Sequence, residues 1–200
     1  MFAYCNNNPV NDVDLGGTRP VPVEVDDEPI FTPINGQNLE PFVDMAYGVS
    51  TIGYSGCEAI AVYNFMLLIG KPHSFSSVVS FMQSRFDSVF LSGWGKKGEW
   101  GATPGDIRAY LDCEGVKYHE ASGLLWMDTF YASPGTYIIS YWNEDLLNYG
   151  YHTIAVSYDG STYLGYNQDT YSKDPVPGTK LGDFMADDWR FIYGYYVPNA

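Results

Sequence analysis

The chain has 200 residues, 46% apolar and 17% aromatic with 18 tyrosines, enough to bury one core in a single domain with or without a tail. A net charge of −14 and a pI near 4.3 argue against nucleic acid and anionic membrane surfaces as partners. The longest apolar run, residues 59–69, is too short to span a bilayer, and no basic, apolar, small-residue leader opens the chain, so neither a membrane span nor export is expected from these residues.

Three cysteines make a closed disulfide framework unexpected, and Cys113, at the end of a predicted helix, reads as a core filler. No Cys-x-x-Cys or His-x-x-x-His spacing occurs, so no metal or cofactor is expected. Residues 1–44 carry eight acids against Arg19 alone, with Asn-rich and Pro-rich pieces, and read as an acidic arm draped over the domain or partly disordered. Residues 45–200 read as one globular domain.

Its first helix is predicted at 57–69, apolar on nearly every side and therefore buried all round. A second fits 76–86, capped by Ser74 or Ser76, with Val78, Val79, Met82 and Phe86 at helical spacing. A loop rich in Gly and Trp follows. A third helix starts at Thr103-Pro104, an N-cap followed by the favoured first helical residue, and should bury Ile107, Tyr110 and Leu111 before Gly115 stops it. Strands are predicted at 136–141, 152–158, 161–166 and 191–197. Helices first and antiparallel strands later make the fold class α+β.

Cys57 stands at the start of the buried helix, where the dipole and unpaired N–H groups favour a thiolate. A thiol nucleophile needs a base, and the base needs an orienting group. His152 and Asn167 follow in that order. Asp159-Gly160 predicts a two-residue hairpin loop, which would set His152 directly opposite Asn167 on one sheet face. The Asn167 amide would then accept from Nδ1 and leave Nε2 to face Cys57. The face bearing His152, Ile154 and Val156 is expected to pack on the Cys57 helix. Asp169 competes for the role of Asn167, while His73 and His119 are weaker bases. Glu58, on the first turn, reads as a helix-start carboxylate that would raise the thiol's pKa if it pointed inward. Asn64 reads as a satisfied buried amide.

The run Gly56-Cys57-Glu58-Ala59-Ile60-Ala61-Val62-Tyr63-Asn64 resembles the nucleophile helix of bacterial papain-like cysteine peptidases, nearest the bacteriocin-leader-processing (double-glycine) group. Residues 102–107, 151–156 and the pair Tyr166-Asn167 resemble, in order, the helix start, histidine strand and third catalytic position of that family. The resemblance implies a papain-like fold, with the nucleophile helix and its companions packed on an antiparallel sheet. It implies a cysteine-type peptidase, a thiol hydrolase acting on a peptide or protein substrate through Cys57, His152 and Asn167. One departure stands out. The family usually carries a Gln six residues before the cysteine as an oxyanion donor, and here that position is Thr51. The Cys57 N–H, Tyr54, Ser55 or Gln37 would have to serve instead. Trp94 and Trp100, with Tyr54 and Ser55, are the expected substrate-binding residues. The same residues would also serve acyl transfer of the transglutaminase kind. The missing Gln and the acidic arm favour a different class, a catalytically idle module that binds a peptide or protein.

Overall fold

In the structure, a computed structural model, the described residues are 12–13, 21–22, 32–85, 101–122, 133–142, 150–185 and 191–199. In chain order the elements are β1 (Asp12–Val13), β2 (Val21–Pro22), β3 (Ala46–Tyr47), β4 (Ser50–Thr51), α1 (Ile52–Ser55), α2 (Cys57–Leu68), α3 (Phe75–Arg85) and α4 (Pro104–Cys113). There follow β5 (His119–Ser122), β6 (Gly135–Trp142), β7 (Tyr151–Tyr158), β8 (Tyr163–Tyr166), β9 (Val176–Gly178), a 3-10 turn (Leu181–Phe184) and β10 (Phe191–Pro198). The fold is mixed α+β.

The three longer helices form where the apolar spacing predicts them. Ten residues of α2, Cys57 to Met66, are buried, on all sides of the helix. The Ser74 hydroxyl accepts the Ser77 N–H at the start of α3, which buries Val78, Val79 and Met82. Thr103 and Asp106 form a reciprocal capping box on α4, and Pro104 occupies its first position. Gly115, with φ +62°, follows its end. Cys113 is half-buried and disulfide-bonded, which corrects its reading as a core filler.

Six strands form one antiparallel sheet in the order β5-β10-β6-β7-β8-β9. The last strand of the chain is thus inserted between β5 and β6 rather than added at an edge. Both faces of this sheet are covered. One carries Ile138, Ala155, Tyr193 and Tyr195 into a core shared with α2, α3 and α4. The other carries Ile139, Ile154, Val156 and Phe191 against Leu181, Phe184 and Met185. The face expected to meet the nucleophile helix is therefore the opposite one: α2 packs on the Ala155 side of β7, and His152, at the start of the strand, alternates with Ile154 and Val156 onto the other face, where its ring meets Tyr141.

The described part of the acidic arm, residues 32–44, lies on the domain. Ile34 is buried in the helical core, and its N–H and carbonyl are clamped by the Asn64 side chain at 2.7 and 2.8 Å. Asn64 is fully buried and satisfied, as its place on α2 predicts.

Candidate active site

The hairpin between β7 and β8 decides the position of Asn167. Asp159 does not form the two-residue turn. Its carboxylate accepts the N–H groups of Ser161 and Thr162 at 2.7 and 2.8 Å and the Ser161 hydroxyl at 2.8 Å, so residues 159–162 become the loop. Tyr158 then faces Tyr163, Val156 faces Gly165 and Ala155 faces Tyr166. This slips the expected register by two residues, which preserves the face of each side chain but moves Asn167 out of line with His152.

The two residues still meet, by another route. Asn167 has φ +62°, in the left-handed region that Asn tolerates better than most residues. The chain turns there, and the Asn167 carbonyl oxygen comes within 2.7 Å of His152 Nε2. A carbonyl only accepts, so Nε2 carries the proton and Nδ1 keeps its lone pair in the neutral ring. The expectation is corrected in two respects: the contact uses the main chain of Asn167, and it engages Nε2 rather than Nδ1. Burial holds the His152 pKa below its ordinary value, partly offset by this carbonyl.

The Asn167 side chain is committed elsewhere. Its Oδ1 accepts the Gln37 N–H at 3.0 Å, and its Nδ2 donates to Gln37 Oε1 at 2.7 Å. The Asn167 N–H donates to Asn35 Oδ1 at 2.8 Å. Gln37 Nε2 donates in turn to the carbonyl of Gly53 at 3.0 Å, within α1. Residues 35–37 thus strap Asn167 to the helical turn that precedes Cys57. With its amide nitrogen spent on α1 carbonyls, Gln37 is a strut, which corrects its reading as an oxyanion donor.

Cys57 is a free, buried thiol. β8 pairs with β7 only from Ala155 onward, so the start of β7 has no strand on that side, and the Thr153 N–H lies on the Cys57 sulfur. Cys57 and His152 therefore adjoin the same peptide unit, although no hydrogen bond links them among the described residues. The helix N-terminus does not prevail at this thiol. Burial pushes its pKa well up, the Glu58 carboxylate adds to this, and the Thr153 N–H only partly opposes them. The expected thiolate is corrected to a neutral thiol.

Tyr141 sets its ring edge-to-face against His152 and donates its hydroxyl to Gln168 Oε1 at 2.6 Å, while Gln168 Nε2 donates to the Phe184 carbonyl at 3.0 Å. Tyr54 is 77% exposed in the turn that precedes Cys57, whereas Ser55 is buried with its hydroxyl on the Thr51 carbonyl. Trp94 and Trp100 lie outside the described residues. The alternative groups lie elsewhere: Asp169 is exposed and caps the Tyr171 N–H, His73 pairs with Glu114 at 3.3 Å, and exposed His119 stacks on Tyr196.

Glu58 is 1% exposed, so it points inward, the case in which its reading as a helix-start carboxylate has it raise the thiol's pKa. It is hydrogen-bonded to the Tyr151 hydroxyl. The alternation of β7 already places Tyr151 with Thr153 and Ala155 on the helix side, so this partner was legible once the correct face is known. The struts Asn35 and Gln37 left no comparable signal, since nothing local ties residues 35–37 to Asn167. Comparison of the chain with protein-family models and with curated proteins finds no match.

Proposed function

We propose that the chain is a papain-like thiol hydrolase that cleaves peptide or amide bonds, with Cys57 as nucleophile and His152 as base. The observation that carries this reading is the tautomer of His152: its Nε2–H is spent on the Asn167 carbonyl, so its one basic lone pair is on Nδ1, in a ring whose next peptide N–H lies on the Cys57 sulfur. The raised thiol and lowered imidazole pKa values support a neutral starting pair. His152 Nδ1 takes the thiol proton as the sulfur attacks the carbonyl, then delivers it to the departing amine as the C–N bond breaks. Water cleaves the resulting thioester and restores the thiol. The Cys57 N–H, at the helix start, is the proposed oxyanion donor in place of the missing Gln. Tyr54 would offer the substrate an exposed aromatic face.

p-Nitrophenyl acetate tests the reading. Nitrophenolate release should accompany acetylation of Cys57 seen by mass spectrometry. The adduct should vanish in Cys57→Ala, and its formation should slow by about 10²-fold or more in His152→Ala. Equal rates with and without His152 would sink the proposal. The burial and raised pKa of Cys57 favour the binding module as a second reading, for which no Cys57 adduct forms at all. An added primary amine that is incorporated in preference to water would instead make the enzyme an acyltransferase.

A further inference from the structure

Beside the thiol lies a group that the proposed reaction does not use. Glu58 is buried in the middle of the domain and forms no ion pair among the described residues. Its Oε1 meets the hydroxyl of Tyr151, and Oε2 has no close hydrogen-bond partner among the described residues; the Cys57 thiol and the Glu58 and Ala102 N–H groups face the carboxyl and favour its charged form, but burial outweighs them. That same hydroxyl lies 2.6 Å from the Ala102 carbonyl oxygen. A phenol has one proton to donate, and a carbonyl can only accept. If Glu58 were ionised, two acceptors would compete for that proton, and a buried charge would face an unsatisfied oxygen. If Glu58 carries a proton, that competition ends: Glu58 Oε1–H donates to the Tyr151 oxygen, Tyr151 O–H donates to Ala102, and Oε2 is left as a neutral carbonyl oxygen.

The surroundings match a neutral acid. Gly101 is seated so close that a Cβ there would lie 2.7 Å from Oε2 and 2.6 Å from the Ser55 carbonyl. The Gly101 main chain therefore covers the carboxyl on that side. Among the described residues, the titratable groups facing Glu58 are Cys57 on its own helix, Tyr151 on β7, Tyr193 on β10 and Tyr47 on β3, none of them a cation. Asp106 on α4 adds a further negative charge near Tyr47.

We infer that Glu58 is a positioning residue for Cys57 that works as a buried neutral acid: it donates its proton to Tyr151, and its ionisation withdraws the adjacent thiol from reaction. The carboxylate raises the pKa of Cys57 by like-charge repulsion, so the neutral acid is the form in which His152 can take the thiol proton. Burial pushes Glu58 up to about 7, which sets the change near neutrality. The control of chemistry rests on the reading of Cys57 as a nucleophile, whereas the proton chain Glu58–Tyr151–Ala102 does not.

The test uses the full chain and two measurements. Infrared difference spectra between pH 6 and pH 8.5 should show a buried carboxylic-acid carbonyl band that disappears as pH rises and is missing in Glu58→Gln. In Tyr151→Phe, where the acid loses its acceptor, the band should move to higher frequency, so the assignment survives if Glu58→Gln folds poorly. Iodoacetamide labelling of Cys57 at pH 8.5 should be roughly tenfold faster in Glu58→Gln than in the parent, the ratio for a one-unit change in thiol pKa, and should converge at pH 6. Absence of the acid band, or coincident labelling profiles, would overturn the inference. If the band is present but p-nitrophenyl acetate leaves Cys57 unmodified, the hydrolase reading fails and the proton chain stands. Acylation without the band fails this inference alone.

Discussion

Replacing Asn64 with Leu tests how the strap at residues 34–37 is held. Asn64 is fully buried, and its amide closes two hydrogen bonds on one residue, Ile34 N–H at 2.7 Å and Ile34 carbonyl at 2.8 Å. Leu has a similar volume, so no large cavity forms and the loss is that of the polar contacts. Two buried backbone groups are stranded, each at about 1–3 kcal/mol, which makes the expected destabilisation about 2–6 kcal/mol. Against a typical total of about 5–15 kcal/mol, this is a large fraction. Urea unfolding followed by tryptophan fluorescence reads it out. With a slope of about 2 kcal/mol/M the midpoint should fall by about 1–3 M, at unchanged slope. Ile34 leads directly into Asn35 and Gln37, which hold Asn167, so the same variant should speed hydrogen exchange at the Gln37 N–H, now held by Asn167 Oδ1. A variant within about 1 kcal/mol of the parent, with that amide still protected, would refute the argument that the Asn64 clamp secures the strap.

Stability should also report on Glu58. Its pKa is about 7 in the folded chain against an ordinary 4.5, so between these values the native state keeps a proton that the unfolded chain has lost, and stability falls as pH rises. At about 1.4 kcal/mol per unit the loss is about 3 kcal/mol, fully developed above pH 7 and missing in Glu58→Gln; a parent-minus-variant difference in unfolding free energy that stays constant from pH 4.5 to 8 would contradict it. Asn167→Gly keeps both the left-handed turn and the main-chain carbonyl on His152, so p-nitrophenyl acetate turnover should stay within about tenfold of the parent, or about 1.4 kcal/mol in barrier. Asn167→Ala must adopt φ +62° with a Cβ and should lose about 1 kcal/mol more stability than the Gly variant in urea titrations. Thr103→Ala removes half of the α4 capping box and should lower stability by about 1 kcal/mol, with faster exchange of the Asp106 N–H as the local signature.

Local chemistry alone determined the elements. The all-round apolar run after Cys57 requires a buried helix, Thr103-Pro104 with Asp106 requires a helix start, and alternating apolar residues around 138, 154 and 195 require strands. The cysteine, histidine and asparagine stood out as candidates for the same reason, since each sits at or near an element boundary where side chains can converge. What lay beyond the sequence was the choice of face. β6 and β7 are buried on both sides, so alternation offered no polar face to mark solvent, and nothing local said which apolar set would meet α2. Only packing decided that Tyr151, Thr153 and Ala155 turn to the helix while Ile154 and Val156 turn to Phe184. Tertiary contact also decided the atoms of the site. The Asp159 carboxylate captured two N–H groups and moved the register by two residues. A left-handed turn at Asn167, held from residues 130 or more positions away by Asn35 and Gln37, then delivered a main-chain oxygen to His152. The neutral state of Cys57 follows from the same cause: a helix dipole is legible in sequence, but the burial and the inward carboxylate that outweigh it exist only once the chain has closed around them.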